Sequence, residues 1–101
     1  NMGFNYGGTL YFDQGGSNAA AEPYLNSITK ITLNGKTLSL MDSSSWWIKT
    51  GEYNVKSSST DKYIEFYSQD FSESENILVI YADGYKDMTL KVNKGGSKII
   101  E

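Results

Sequence analysis

Hydrophobic residues recur at every second position in two stretches of this chain, and each stretch is interrupted by a glycine turn. Residues 28–40 read ITKITLNGKTLSL around Asn34-Gly35, and residues 77–92 read ILVIYADGYKDMTLKV around Asp83-Gly84. Alternation with period two offers one face of a strand to a core, and Asn-Gly or Asp-Gly tolerates the positive φ of a tight hairpin turn. Both stretches are therefore predicted β-hairpins. In the first, Ile28, Lys30 and Thr32 fall on one face and Thr29, Ile31 and Leu33 on the other, so the second face is expected to be partly covered. The returning arm puts Leu38 and Leu40 on a common face. In the second, residues 77–82 are almost continuously apolar and read as a central strand, whereas 88–92 alternate as a half-buried one.

Further strands follow the same rule. Residues 5–13, NYGGTLYFD, put Leu10 and Phe12 on one face and Thr9 and Tyr11 on the other. The run GGSNAAA at 15–21 ends that strand as a loop or short helical turn, and Pro23 opens a new segment. Strands resume at 52–55 and 63–67, separated by the polar run KSSST at 56–60. Residues 41–51, MDSSSWWIKTG, are the least regular and read as a loop with Trp46 and Trp47 at its tip. Residues 70–75 form an acidic turn, and residues 95–101, opening on Gly95-Gly96, read as a frayed end or linker. There is no internal repeat, heptad or amphipathic helix. The prediction is a single all-β domain over residues 1–94, with about seven short antiparallel strands in two packed sheets.

Composition narrows the chemistry. At 101 residues the chain suits one domain with one core that folds without covalent staples. Cysteine is missing, which excludes disulfides and thiolate metal sites. Histidine is missing too, and with it go the commonest general base and the commonest transition-metal ligand, so hydrolase triads and zinc chemistry are not expected. The nine positive charges are all lysines against twelve carboxylates, a net charge of −3. Without arginine, an acidic chain of this kind is not expected to bind nucleic acid. No apolar run approaches the roughly 20 residues that span a bilayer, and nothing reads as a signal peptide, so no membrane insertion is expected. Eight tyrosines, four phenylalanines and two tryptophans among many Ser, Thr, Asn and Gly residues make a composition typical of extracellular β-sandwich modules. The chain reads as a monomeric module excised from a longer surface protein, secreted or wall-attached, with Asn1 and Met2 as flanking remnants.

Three segments, YLNSITKITLNGKTLSL, GEYNV and NILVIYADGYKDMTLKV, together resemble the hemoglobin-interacting domain family over residues 25–92. The shared pattern is an S-x-T-x-I-T-x-N-G-K hairpin followed later by N-x-L-x-I-x-A-x-G-Y-x-D-x-T-x-x-V, aligned on Asn34, Gly35, Asn76, Gly84, Tyr85 and Asp87. The resemblance implies an Ig-like β-sandwich. It also implies a place in cell-surface haem-acquisition receptors or other large surface proteins of Gram-positive bacteria, with hemoglobin as protein partner.

The candidate binding residues are aromatic. Trp46 and Trp47 are adjacent, so in a strand their side chains would point to opposite faces and only one could enter the core. Packing within the domain is the default for both. An exposed one would serve as a protein-contact anchor or as a stacking platform for a sugar ring. Tyr53 and Tyr24 complete the candidate ligand-binding set. Tyr63 with Tyr67 and Tyr81 with Tyr85 share a Tyr-x-x-x-Tyr spacing that resembles the haem-ligating strand of near-iron-transporter domains, although two such residues on one strand lie about 13 Å apart. Packed, hydrogen-bonded phenols are the default reading, and no cofactor is expected. Asp70, Glu73 and Glu75, or Asp13 before its glycine-rich stretch, offer oxygen ligands for calcium, but neither group follows an EF-hand spacing, and a solvated acidic turn is preferred. The serine runs 43–45 and 57–59 lack a base and read as loop filler. The expected function is thus non-catalytic binding of a protein, the alternatives being a carbohydrate-binding module or an Ig-like spacer without a ligand.

Overall fold

The computed structural model describes residues 3–5, 7–12 and 21–100, in which two five-stranded sheets face each other across one core. One sheet has the order β1 (Gly3–Asn5), β2 (Thr9–Tyr11), β7 (Lys62–Phe66), β6 (Glu52–Ser57), β5 (Ser39–Leu40). The other has the order β10 (Ile99–Ile100), β9 (Met88–Asn93), β8 (Glu75–Ala82), β3 (Ile28–Leu33), β4 (Lys36–Thr37). Alternation sets the core as predicted. Leu10, Ile64 and Phe66 from the first sheet meet Ile31, Leu78, Ile80 and Val92 from the second, all buried. A short helix, α1 (Ala21–Leu25), contributes Tyr24 and Leu25 to this core. Pro23 is tolerated there because it lies in the first turn, where its missing N–H has no helical partner.

The all-β sandwich matches expectation, with differences that have physical reasons. The described residues form ten strands instead of about seven, and β5 runs parallel to β6. The strand expected over 5–13 is divided by a turn at Gly7 and Gly8 into β1 and β2, which pair with each other; Leu10 and Phe12 are buried as predicted. The break at 15–20 and Asp13 lie outside the described residues.

In β3 the two apparent apolar faces reduce to one. The pairing with β8 jumps between Ile28 and Lys30, a bulge at Thr29, so Ile28 packs against the same core as Ile31 and Leu33. Leu38 and Leu40 do not share a face. Residues 36–37 belong to one sheet and 39–40 to the other, so the chain changes layers at Leu38, which is buried while Leu40 is 62 % exposed.

The two predicted turns also differ. Asn34 and Gly35 both take positive φ, 51° and 83°, as a two-residue hairpin turn requires, and β4 follows at once. At Asp83-Gly84 only the glycine does, at 81°, and the β8–β9 ladder closes earlier at Ile80 and Met88, leaving a longer loop. The Asn34 turn is tied inward by side chains. Its Nδ2 donates to Asn76 Oδ1 at 2.9 Å and its Oδ1 accepts from the Ile77 N–H at 2.8 Å. Asn76 is fully buried, and its Nδ2 donates to the carbonyl oxygens of Glu73, Val92 and Asn93 at 2.8, 3.2 and 3.3 Å. A buried amide is stable in a core only when satisfied in this way.

The acidic turn contains an anchor. Phe71 follows a short 3-10 turn at Ser68–Asp70 and is 1 % exposed, edge-on to Phe4 and Phe66 at 5.6 and 5.8 Å. The expected tail returns to the fold over it. Gly96 packs so closely that a Cβ there would lie 2.6 Å from the Phe71 ring, and β10 then pairs with β9. Ile99–Ile100, inside the segment read as a frayed end or linker, thus form a strand of the sheet.

The tryptophan loop as candidate functional site

Strands β5 and β6 are adjacent and parallel, so the connection between them must run back along the sheet instead of turning tightly. Residues 41–51 make this return, which explains why a long irregular loop stands at the edge of the first sheet. Its roots are fixed by backbone bonds. Ser39 N donates to Gly51 O and Met41 N to Tyr53 O, both at 2.8 Å.

Carboxylates organise the loop itself. Asp42 Oδ1 accepts from the N–H and the hydroxyl of Ser44 at 3.0 and 2.9 Å, and Ser45 N donates to Asp42 O at 2.9 Å. This is a turn nucleated by an aspartate side chain, so Ser44 is a structural partner and not filler. The two bonds from Ser44 hold the Asp42 carboxyl below its ordinary pKa, with the Lys49 charge adding to the effect. On the returning side, Lys49 N donates to Glu52 Oε1 at 2.9 Å. Asp70, from the 3-10 turn, accepts from the Thr50 hydroxyl at 2.6 Å and the Gly51 N–H at 2.7 Å. The acidic turn is therefore more than a solvated surface, because Asp70 is spent on the loop.

Between these anchors the two tryptophans face solvent. Trp46 is 91 % and Trp47 68 % exposed, so neither ring enters the core and the expectation of packing is overturned for both. They line a shallow depression of about 450 Å³ with Ser44, Ser45 and Lys49. Adjacent exposed tryptophans are an unusual surface for a folded domain.

The tyrosines lie elsewhere. Tyr53 is 7 % exposed and forms the floor of a separate groove with Leu25, Ile28 and Val55; burial raises its pKa. Tyr24 is 8 % exposed, with its ring edge-on to Tyr85 at 5.0 Å and 6.0 Å from Phe12. Among the described residues its buried hydroxyl has no hydrogen-bond partner, and burial, then the Asp87 charge, raise its pKa. Both are core rings, turned inward by their strand and helix positions. The spaced tyrosine pairs part company as well. Tyr63 pairs with Tyr11 on the outer face of the first sheet at 5.4 Å, and Tyr67 donates to Gln69. Tyr81 lies under Lys30, whose Nζ is 5.0 Å from the ring centroid, while Tyr85 sits beyond the turn.

Three residues of the site were not legible as such. Leu40 is exposed at the loop root because of the layer change at Leu38, whereas Thr50 and Asp70 are joined across 20 positions that no local pattern connects. Asp42 two residues before Ser44 was the one local signal, an aspartate placed to nucleate a turn.

A search among curated proteins finds no match to this chain. A family model described as heme-binding protein Shr-like, Hb-interacting domain, matches residues 10–93, a span that takes in most of both sheets but not β1 or β10, together with the tryptophan loop and the 3-10 turn that holds it. With most of the chain inside that match, the protein belongs to the Hb-interacting domain family of Shr-like heme-binding proteins.

Proposed function

We propose that this domain is a non-catalytic module of a bacterial cell-surface protein that binds hemoglobin by docking the tryptophan loop onto the globin. The observation that carries this reading is the joint exposure of Trp46 and Trp47 on a loop whose backbone is held at both ends. Family membership supplies the class of partner. Covering one tryptophan removes roughly 150–250 Å² from water, about 4–6 kcal/mol gross at 25 cal/mol per Å². Ordering a side chain at an interface costs only about 0.5–1.5 kcal/mol, so each ring retains enough to act as a hot spot. Docking is as a rigid body, with Ser44, Ser45 and Lys49 as a polar rim around the rings. An extracellular or wall-attached location and a monomeric module follow from the same reading.

The test is hemoglobin binding by titration calorimetry, with haem-free globin alongside and with Trp46→Ala and Trp47→Ala variants. Each substitution is expected to weaken binding by about 1 kcal/mol or more. Unchanged affinity in both variants rejects the loop as the site. Retained binding to haem-free globin identifies protein recognition as the source of affinity. A tryptophan fluorescence response to glycans, without one to hemoglobin, would replace this reading with a sugar-stacking platform, and silence toward both would leave a spacer.

A further inference from the structure

We infer that Asp70 is a positioning residue for the tryptophan loop, coupling the geometry of the contact surface to the aromatic core. The inference rests on the loop being the binding site. Asp70 lies 20 positions from Thr50, yet both of its carboxylate oxygens are engaged by the loop's returning root: Oδ1 by the Thr50 hydroxyl at 2.6 Å and Oδ2 by the Gly51 N–H at 2.7 Å. These are short bonds to a charged acceptor, the stronger class of hydrogen bond. Two oxygens received by two consecutive residues fix direction as well as distance.

What makes Asp70 a reference point is its neighbour. Phe71 is wedged edge-on between Phe4 and Phe66, and the N–H groups of Asp70 and Phe71 donate to Tyr67 O and Ser68 O at 2.9 and 3.1 Å. The 3-10 turn thus cannot shift without disturbing the core. Through Asp70 the returning root takes its place from that turn, and Trp46 and Trp47 stand four and three residues before Thr50. The departing root has its own support in the Asp42–Ser44 turn. Loss of the Asp70 clip therefore leaves the sheet pairing intact, since Ser39 N to Gly51 O and Met41 N to Tyr53 O remain. It releases only the stretch between. Thr50 and Gly51 are exposed, so water replaces the lost partner and the fold is little affected. The cost falls on binding, where a wandering loop must be ordered again each time.

The chain's two tryptophans both lie on this loop, so the fast component of their time-resolved fluorescence anisotropy, separated from overall tumbling, reports motion of the loop and its rings. The experiment compares the native domain with Asp70→Asn, Thr50→Val and Thr50→Ser. Asn cannot accept at both positions, and Val keeps the shape of Thr while losing the hydroxyl. Ser restores it. Asp70→Asn and Thr50→Val are expected to increase the fast depolarisation and to weaken hemoglobin binding on the order of fivefold, with thermal midpoints unchanged. Thr50→Ser is expected to behave as the native domain in both readouts, which a purely space-filling role for Thr50 would not produce. Unchanged anisotropy in Asp70→Asn and Thr50→Val overturns the clip, whatever hemoglobin does. Faster depolarisation with native affinity, where Trp46→Ala still weakens binding, overturns its role in recognition. If Trp46→Ala and Trp47→Ala both leave binding unchanged, the site itself is wrong, and a shared loss of affinity in Asp70→Asn and Thr50→Val is then also absent. Should Asp70→Asn fail to fold, Thr50→Val carries the comparison alone.

Discussion

Two groups of aromatic rings in this domain face opposite fates. Phe71 meets Phe4 and Phe66 edge to face inside the sandwich, whereas Trp46 and Trp47, equally apolar, stand in solvent. The difference is made by the backbone beneath them. The phenylalanines hang from strands and a short turn whose inward positions are set by sheet parity. The tryptophans sit on a return loop that the parallel pairing of β5 and β6 lifts away from the core. Aromatic content therefore serves two ends here, and burial follows topology more than side-chain type.

Truncation breaks this comparison most sharply. Phe71→Ala is expected to cost about 3–5 kcal/mol, read as a fall in the denaturant midpoint, because a ring enclosed by two others leaves a cavity. Asn76→Ala is expected to cost about 1–3 kcal/mol by the same measurement, since it strands the Asn34 amide and three backbone carbonyls at a buried corner. Trp46→Ala and Trp47→Ala should each change stability by no more than about 0.5 kcal/mol in chemical unfolding, although both are expected to weaken the proposed binding. A large loss of stability in either tryptophan variant would erase the distinction between the two groups.

The smallest effect concerns acid. The folded loop favours ionised Asp42, so its contribution to loop order is complete above the ordinary carboxylate value of 3.8 and disappears as pH falls through the lower folded value. Tryptophan anisotropy is expected to stay flat from neutrality down to about pH 5 and to drop below about pH 4, with Asp42→Ala already loose at neutrality. A native-like profile in Asp42→Ala would detach that turn from the loop.

The sequence carried much of the fold in its local chemistry. Asn34-Gly35 specified a hairpin turn, and the alternation along β8 and β9 placed Leu78, Ile80 and Val92 inside. What escaped were events that depend on a distant partner. The bulge at Thr29 shifts parity only against β8, and the layer change at Leu38 appears only when two sheets exist. Phe71 was a lone aromatic amid acids, a signal for an anchor that the charge around it masked. For the site, the loop and its tryptophans were legible from irregular, serine-rich sequence. The burial of Tyr53 and Tyr24 was not legible, because tyrosine suits both a hot spot and a core.

The passage of the chain at Leu38 has a mechanical consequence. Lys36–Thr37 is hydrogen-bonded into one layer and Ser39–Leu40 into the other, so a single residue spans the gap between them just before the tryptophan loop departs. Such a short strut leaves no slack for one layer to slide past its mate at this corner. A pull applied through the bound partner would pass directly into both halves of the domain, which would resist as one stiff body instead of yielding at a hinge.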